Sequence, residues 1–395
     1  SQVSISSRGH HLMGHIEAKG VDLQIKTAGS LNLFQLITPD RTNTHKCGNE
    51  SDHTHEDGTK GPLSKAKKAT HGKWTPHTDT TVKDSGTPLF NDDEISIMVL
   101  YTEDAKWGAF QDSYTGFPVP GSFVELCCRY ELYCASMTLE ICEETNFKEP
   151  IELEIEHNMA LLNQGFSNSY TEANAVLVHT AQVEREEDES PNLIEYLYWL
   201  QEKMNQKEVF GKNLVTGEKI IITHESRIHR LREEHQADLV SLWINNPEPR
   251  SRGYVIGRGF FSTRRSNPAA YGATVVVRGW DSSLTFNHEI GHNLGLSHDW
   301  YVSRAMEPYI YQHGYVNFEK EVRSIMAYND LCNELDIYCR PLNVFSTPDY
   351  YYRGSPMGNK HVADNARVID HNWQMVANYK KGKLKKWLED SVAVH

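Results

Sequence analysis

The run Phe-Asn-His-Glu-Ile-Gly-His-Asn-Leu-Gly-Leu-Ser-His-Asp at residues 286–299 constrains this chain more than any other part of it. His288 and His292 are four residues apart, so on a helix they stand one turn from each other on one face. Their imidazoles can then converge on a single ion. Glu289 falls beside the first of them, close enough to act on a water at that ion without ligating it. Gly295 is placed to end the helix with φ > 0, a conformation that is costly for any residue with a Cβ. The chain can then turn back and bring His298 as a third ligand. Three neutral ring nitrogens with an open fourth position describe a catalytic zinc site, whereas a structural site is closed by a fourth protein ligand. With Glu289 as the base that takes a proton from the attacking water and hands it to the leaving amine, the expected chemistry is peptide hydrolysis.

The rest of the composition narrows the setting. The chain has 395 residues, 39% of them hydrophobic, enough for a sizeable core. Its formal charge of −13 argues against sequence-independent nucleic-acid binding. No apolar run approaches the roughly 18 residues of a membrane span. The chain begins at Ser1 without a basic-then-apolar leader, so any export signal is expected to have been removed. Seven cysteines are an odd count. Cys332 and Cys339 can close a short loop, and Cys127, Cys128, Cys134 and Cys142 can form two bridges. That leaves Cys47 over; the other reading is that the thiols are reduced and buried.

Three regions follow from the patterning. Residues 1–48 are β-rich: Leu12, Gly14 and Ile16, then Val21, Leu23 and Ile25, alternate with polar neighbours, and Gly20 and Gly29-Ser30 mark turns. This stretch is too short to stand alone and needs a surface to pack on. Residues 49–93 are rich in Thr, His, Lys, Asp, Gly and Pro and carry Lys65, Lys67 and Lys68, the signature of a linker open to processing. Residues 94–395 are globular. Strands are predicted at Ile95–Leu100, Ala175–Thr180, Ala237–Ile244 and Gly272–Gly279. Helices are predicted at Glu152–Asn168, with Ile151, Ile155, Met159 and Leu162 on one stripe, and at 226–235. That alternation predicts an α/β (α+β) fold with helices packed on a mostly parallel sheet.

His-Glu-Ile-Gly-His-Asn-Leu-Gly-Leu-Ser-His-Asp, through Asp299, resembles the extended motif of the metzincin metallopeptidases, and of their reprolysin-like (adamalysin-like) group in particular. Ser-Ile-Met-Ala-Tyr (Ser324 to Tyr328) resembles the methionine turn of that clan, with Met326 beneath the metal. The likeness extends over roughly residues 95–380. It implies a twisted, mostly parallel sheet and a zinc ion in a cleft between two lobes. It also implies an edge strand for substrate at Gly272–Gly279, offering Gly272, Ala273, Thr274 and Val275. Phe345 to Tyr350 would wall the pocket through Ser346, Thr347 and Pro348. Thr-His-Lys-Cys-Gly-Asn (Thr44 to Asn49) is similar to a propeptide cysteine switch, one residue short of the usual Lys-x-Cys-Gly. It makes Cys47 a ligand in a latent form and residues 1–93 a propeptide remnant that inhibits its own enzyme.

These points lead to a secreted, latent, zinc-dependent endopeptidase acting on proteins or peptides as a monomer, with no nucleic acid and no membrane span. Calcium is left open. Two alternatives stand beside it. One is a narrow-specificity peptidase cutting beside acidic residues, with Arg323, Arg340 and Arg353 as basic candidates near the pocket wall. The other is a non-catalytic zinc or adhesion module, against which the intact Glu289 argues.

Overall fold

The structure, a computed structural model, describes residues 2–8, 11–18, 21–28, 31–36, 46–49, 94–113, 121–130, 142, 146–188, 192–213, 216, 218–245, 255–265, 267–279 and 284–380. Residues 50–93 of the linker expected at 49–93, and Cys134, lie outside the described residues.

The elements in chain order begin with β1 (Gln2–Arg8), β2 (His11–Ala18), β3 (Val21–Ala28), β4 (Leu31–Leu36) and β5 (Lys46–Asn49). After residue 93 come β6 (Ile95–Tyr101), α1 (Glu103–Ser113), α2 (Gly121–Tyr130), α3 (Glu149–Asn168), β7 (Ala175–Gln182) and α4 (Leu193–Asn205). A hairpin of β8 (Val209–Lys212) and β9 (Lys219–Thr223) leads to α5 (Arg227–Glu234), β10 (Leu239–Ile244), β11 (Val255–Gly259) and β12 (Ala273–Val277). The chain continues through α6 (Thr285–Asn293), α7 (Asp330–Glu334) and α8 (Asn365–Val376).

Strands β1 to β4 form an antiparallel meander, and β1 and β2 lie against α3, the packing surface that so short a β-rich stretch requires. Six of the described strands make the main sheet in the order β5-β11-β12-β10-β6-β7. β12, β10, β6 and β7 pair in parallel with one another, while β11 pairs antiparallel with β12 and parallel with β5, so β11 and β5 run against the other four. The mostly parallel arrangement agrees with the alternation of helix and strand in the sequence.

The sheet is covered on both faces, as a parallel sheet requires. Alternate residues of one strand serve opposite layers: Ile95, Ile97, Val99 and Tyr101 of β6 join the core shared with α3, α6 and α8. Met98 and Leu100 join the core shared with α4 and α5. The stripe Ile151, Ile155, Met159 and Leu162 of α3 is buried in the first of these layers. Local chemistry sets the helix starts. Pro150 occupies the first turn of α3, the Asn192 side chain accepts from Ile194 N–H at 3.2 Å, and the Ser226 hydroxyl accepts from His229 N–H at 3.0 Å. Disulfides join Cys128 to Cys142 and Cys332 to Cys339, and Cys127 is disulfide-bonded too. Among the described residues no helix is long and apolar enough to cross a membrane.

One expectation is corrected by the sheet order. The strand predicted over Gly272–Gly279 is present as β12, but it is interior: β10 pairs with one side of it and β11 with the other. The Gly272 carbonyl accepts from Val240 N–H at 2.9 Å, the Thr274 hydroxyl donates to Ser241 Oγ at 2.8 Å, and Ala273 and Val275 pack in the core with α4. Paired on both sides in this way, β12 is not an edge strand of the sheet.

At the ends of β6 and β10 sits a buried carboxyl, Glu187, which accepts from the Thr102 hydroxyl and from Asn245 N–H, the latter at 2.7 Å. Burial pushes it up to about 7, against the pull of those two donors. Because its folded pKa lies above the ordinary 4.5, the fold keeps a proton that the unfolded chain releases. The group's stabilisation is complete below 4.5 and is lost as pH rises through about 7. Glu187→Gln cannot ionise, so it should be more stable than the parent by about 1–3 kcal/mol at pH 8, and nearly equal to it near pH 4. Urea unfolding at the two pH values checks this; an equal gap at both would refute it.

Candidate active site

Helix α6 carries the metal-binding residues into the middle of the molecule, and all nine of its residues are buried. It is fixed on two sides by side-chain amides. Asn293 donates to the carbonyls of Phe260 at 2.8 Å and Ala273 at 3.3 Å, and Asn287 donates to the Leu161 carbonyl of α3 at 3.1 Å. Gly295 has φ +89°, and the chain reverses there. A Cβ on Gly295 would also stand 2.6 Å from the Thr263 hydroxyl, so both backbone and packing demand glycine.

Past that turn, His298 meets the other two imidazoles. His292 Nε2 lies 3.0 Å from His298 Nε2, which lies 3.1 Å from His288 Nε2. Among the described residues, these three form the cluster of His, Cys, Asp or Glu able to hold a metal. Their other ring nitrogens explain the aim: His288 Nδ1 is 2.9 Å from the Ile325 carbonyl and His292 Nδ1 is 2.8 Å from the Leu296 carbonyl. A carbonyl only accepts, so each Nδ1 carries the proton and each Nε2 presents a lone pair. Burial, then the neighbouring His298 ring, holds the His288 imidazole well below its ordinary value, which keeps it neutral. Tetrahedral bonds of 2.0–2.1 Å to zinc would set such nitrogens about 3.3 Å apart. The three residues fit the ion.

The surrounding residues hold the turn after the helix. The Asp299 carboxylate accepts from Tyr328 N–H at 2.9 Å and Tyr301 N–H at 3.0 Å, tying the third-ligand loop to the segment Ser324–Tyr328. Burial raises its pKa. Met326 is fully buried, with its sulfur directly under Gly291 of α6. Two supports were not foreseen from sequence. The Tyr328 ring packs 4.2 Å from the His298 ring and 5.8 Å from the His288 ring, and His313 Nδ1 reaches the His298 carbonyl at 2.6 Å. The position of Tyr328, two residues past Met326, was the available signal for the first; His313 offered none.

Glu289 is fully buried, and β11 explains how it is held. Gly257 and Gly259 both face α6. A Cβ on Gly257 would stand 2.5 Å from Glu289 Oε1, and one on Gly259 would stand 2.8 Å from the Glu289 carbonyl oxygen. The outer edge of β11 pairs in parallel with β5, where Cys47 stands opposite Gly257 and Asn49 opposite Gly259. On that side of the sheet the edge strand is β5, with β11 between it and β12. The residues expected to wall the pocket are mostly enclosed. Ser346 and Thr347 are buried, the Ser346 hydroxyl donates to the His313 carbonyl at 2.6 Å, and only Pro348 of the three is partly open. The Ser346 hydroxyl also accepts from Asn365 N–H at 3.0 Å, and the Thr347 hydroxyl accepts from Asp349 N–H at 3.3 Å.

Gly257→Ala should push the Glu289 carboxylate aside while sparing the imidazoles. Displacing a reacting group by about 1 Å costs roughly 10^2-fold in rate. Hydrolysis of a protein substrate should fall by that order with bound zinc unchanged, as read by a peptidase assay beside metal analysis. Full activity would show that the contact does not position Glu289.

Sequence comparison finds likenesses over the stretch that holds the three imidazoles. Residues 144–335 match Reprolysin_5, metallo-peptidase family M12. A peptidyl-Asp metalloendopeptidase of Stenotrophomonas maltophilia (strain K279a) is 35% identical over 160 residues, covering 39% of this chain and 34% of that protein. A protein of the same name from Xanthomonas campestris pv. campestris is 33% identical over 156 residues, 39% of this chain and 33% of its own. The chain thus spans about a third of the length of the curated relatives it matches. Among solved structures, metalloproteinase-II from Bacteroides fragilis aligns over 94% of this chain and 79% of its own at 8% identity and a TM-score of 0.40. Residues 144–335, which include His288, His292 and His298, are thus similar to a metzincin-like metallopeptidase domain of family M12.

Proposed function

We propose that the protein is a zinc-dependent endopeptidase that cuts beside acidic residues and is made in a latent form. The observation that carries the hydrolytic reading is the convergence of three buried Nε2 atoms next to the buried Glu289 carboxylate. The narrow specificity is favoured over general protein degradation by the relatives, whose shared name is peptidyl-Asp metalloendopeptidase.

Bound at the three imidazoles, zinc supplies Lewis acidity, which acidifies a water and polarises a carbonyl. Glu289 takes the proton of the attacking water and delivers it to the leaving amine, two transfers for one carboxylate held against Gly257. His288 and His292 keep their Nδ1 protons on backbone carbonyls throughout and so stay neutral donors of lone pairs. The outer edge of β11 is the surface on which an extended peptide would add as a strand.

Latency has its support in the same edge. Strand β5 of the N-terminal segment pairs with β11, so a substrate strand and β5 compete for one row of hydrogen bonds. The register puts the Cys47 backbone opposite the glycine that touches Glu289, in keeping with a role for its thiolate at the metal. Residues 1–93 would then be a propeptide released by cleavage in the 49–93 stretch. Disulfides at Cys128–Cys142 and Cys332–Cys339 suit an oxidising compartment and hence export. A monomer acting on protein or peptide chains completes the reading.

Two experiments test it. Processed protein should cut casein and Asp-containing peptides and stop on chelation. Glu289→Ala should lose about 10^2- to 10^4-fold in rate without losing zinc; equal activity in all samples would reject the mechanism. The Cys47→Ala precursor should hydrolyse peptide before any cleavage of its own chain. A precursor as silent as the parent would reject the thiol's role.

A further inference from the structure

Specificity for a carboxylate needs a cation beside the scissile bond, and three arginines lie in the neighbourhood expected from sequence. Arg353 is exposed, with its guanidinium over the Tyr352 ring at 5.2 Å. Arg340 reaches the Tyr352 hydroxyl at 3.4 Å. Both lie against Tyr352 of the strand Thr347–Tyr352. Arg323 packs elsewhere. It lies on the short strand Val322–Arg323, between Val316–Asn317 and Arg340–Pro341. From there it folds back along the methionine turn, and Nη1 donates to the Ala327 carbonyl at 2.5 Å.

The surroundings of Arg323 differ from those of the other well-buried arginines. Arg278 is held by Glu154 and Asp112, and Arg129 by Asp104 and Glu125. The fully buried Arg232 gives its donors to the carbonyls of Ala237, Asp238 and Ala269. Half-buried Arg323 has one carbonyl, and its Nε is enclosed without an acceptor among the described residues. No carboxylate of the described residues pairs with it. A desolvated cation left without an anion is costly, and such costs persist where a ligand relieves them.

We propose that Arg323 is the residue that recognises an acidic substrate side chain next to the scissile bond, its guanidinium pairing with that carboxylate over the segment Met326–Tyr328. The Ala327 carbonyl holds one arm of the fork, which orients the rest before substrate arrives. Charge-assisted hydrogen bonds to a planar fork discriminate a carboxylate from its isosteric amide. In a chain of net charge −13, long-range attraction cannot draw an acidic peptide in, so a local cation must do the selecting.

This inference rests on the reading of the site as an acid-directed endopeptidase, and the test separates the two. Two peptides differing only in Asp against Asn beside the cut are compared by kcat/KM in the processed parent, Arg323→Gln and Arg323→Lys, with the cut mapped by mass spectrometry. The parent should favour Asp by roughly tenfold or more. Arg323→Gln should bring that ratio down to near one, and Arg323→Lys should keep part of it. A parent without preference overturns the acid-directed reading and the inference with it. A parent that prefers Asp while Arg323→Gln keeps the full ratio overturns the role of Arg323 alone. If Arg323→Gln fails to fold, the ratio in Arg323→Lys decides: a bidentate fork replaced by a point charge must weaken discrimination, and an unchanged ratio refutes the proposal.

Discussion

Lone pairs from three imidazoles pointed at one spot in a dry interior repel one another, and a cation is what makes the arrangement favourable. Everything near the centre of this protein serves that convergence. Asn293 and Asn287 lock the helix to the sheet and to α3, Gly295 turns the chain, and Asp299 pins the returning loop to the methionine turn. The burial of Met326 and the packing of Tyr328 on two of the rings close the floor. None of these contacts alone defines a metal site. Together they leave the Nε2 atoms no other direction.

The metal helix was legible because its information is local. A spacing of four, a glycine at the turn and a third histidine just beyond are short-range facts, and helix geometry converts them directly into proximity. The sheet strands β6, β7, β10 and β12 were legible for a similar reason: buried parallel strands read as short, dense apolar runs. Strand β11 was not. Val-Ile-Gly-Arg-Gly follows a stretch rich in Pro, Asn, Arg and Ser, and two glycines in five residues weaken any strand pattern. The glycines that hide the strand are the ones whose missing Cβ atoms let it lie against Glu289. With β11 unseen, β12 looked like an edge.

The segment Phe345–Tyr350 poses the opposite difficulty. Phe-Ser-Thr-Pro-Asp-Tyr is distinctive as a string, yet distinctiveness does not say which way side chains point. In the fold Phe345 stacks on Phe166 at 5.6 Å and Ser346 bonds inward to His313, while Pro348 is partly open. Whether an arginine is matched by a carboxylate depends on partners far apart in the chain, such as Glu154 and Arg278, which no spacing rule anticipates. Arg323, Arg340 and Arg353 are therefore equivalent as letters and distinct as neighbours.

The anchors of His288 and His292 are main-chain oxygens, of Ile325 and Leu296. Where a carboxylate orients a ligand ring, a single substitution can rotate it; here any amino acid at 325 or 296 would present the same oxygen. Ring orientation is thereby insulated from drift in the surrounding side chains. Descendants of this scaffold can exchange selectivity determinants one at a time, with the chemistry at the centre undisturbed while they do so.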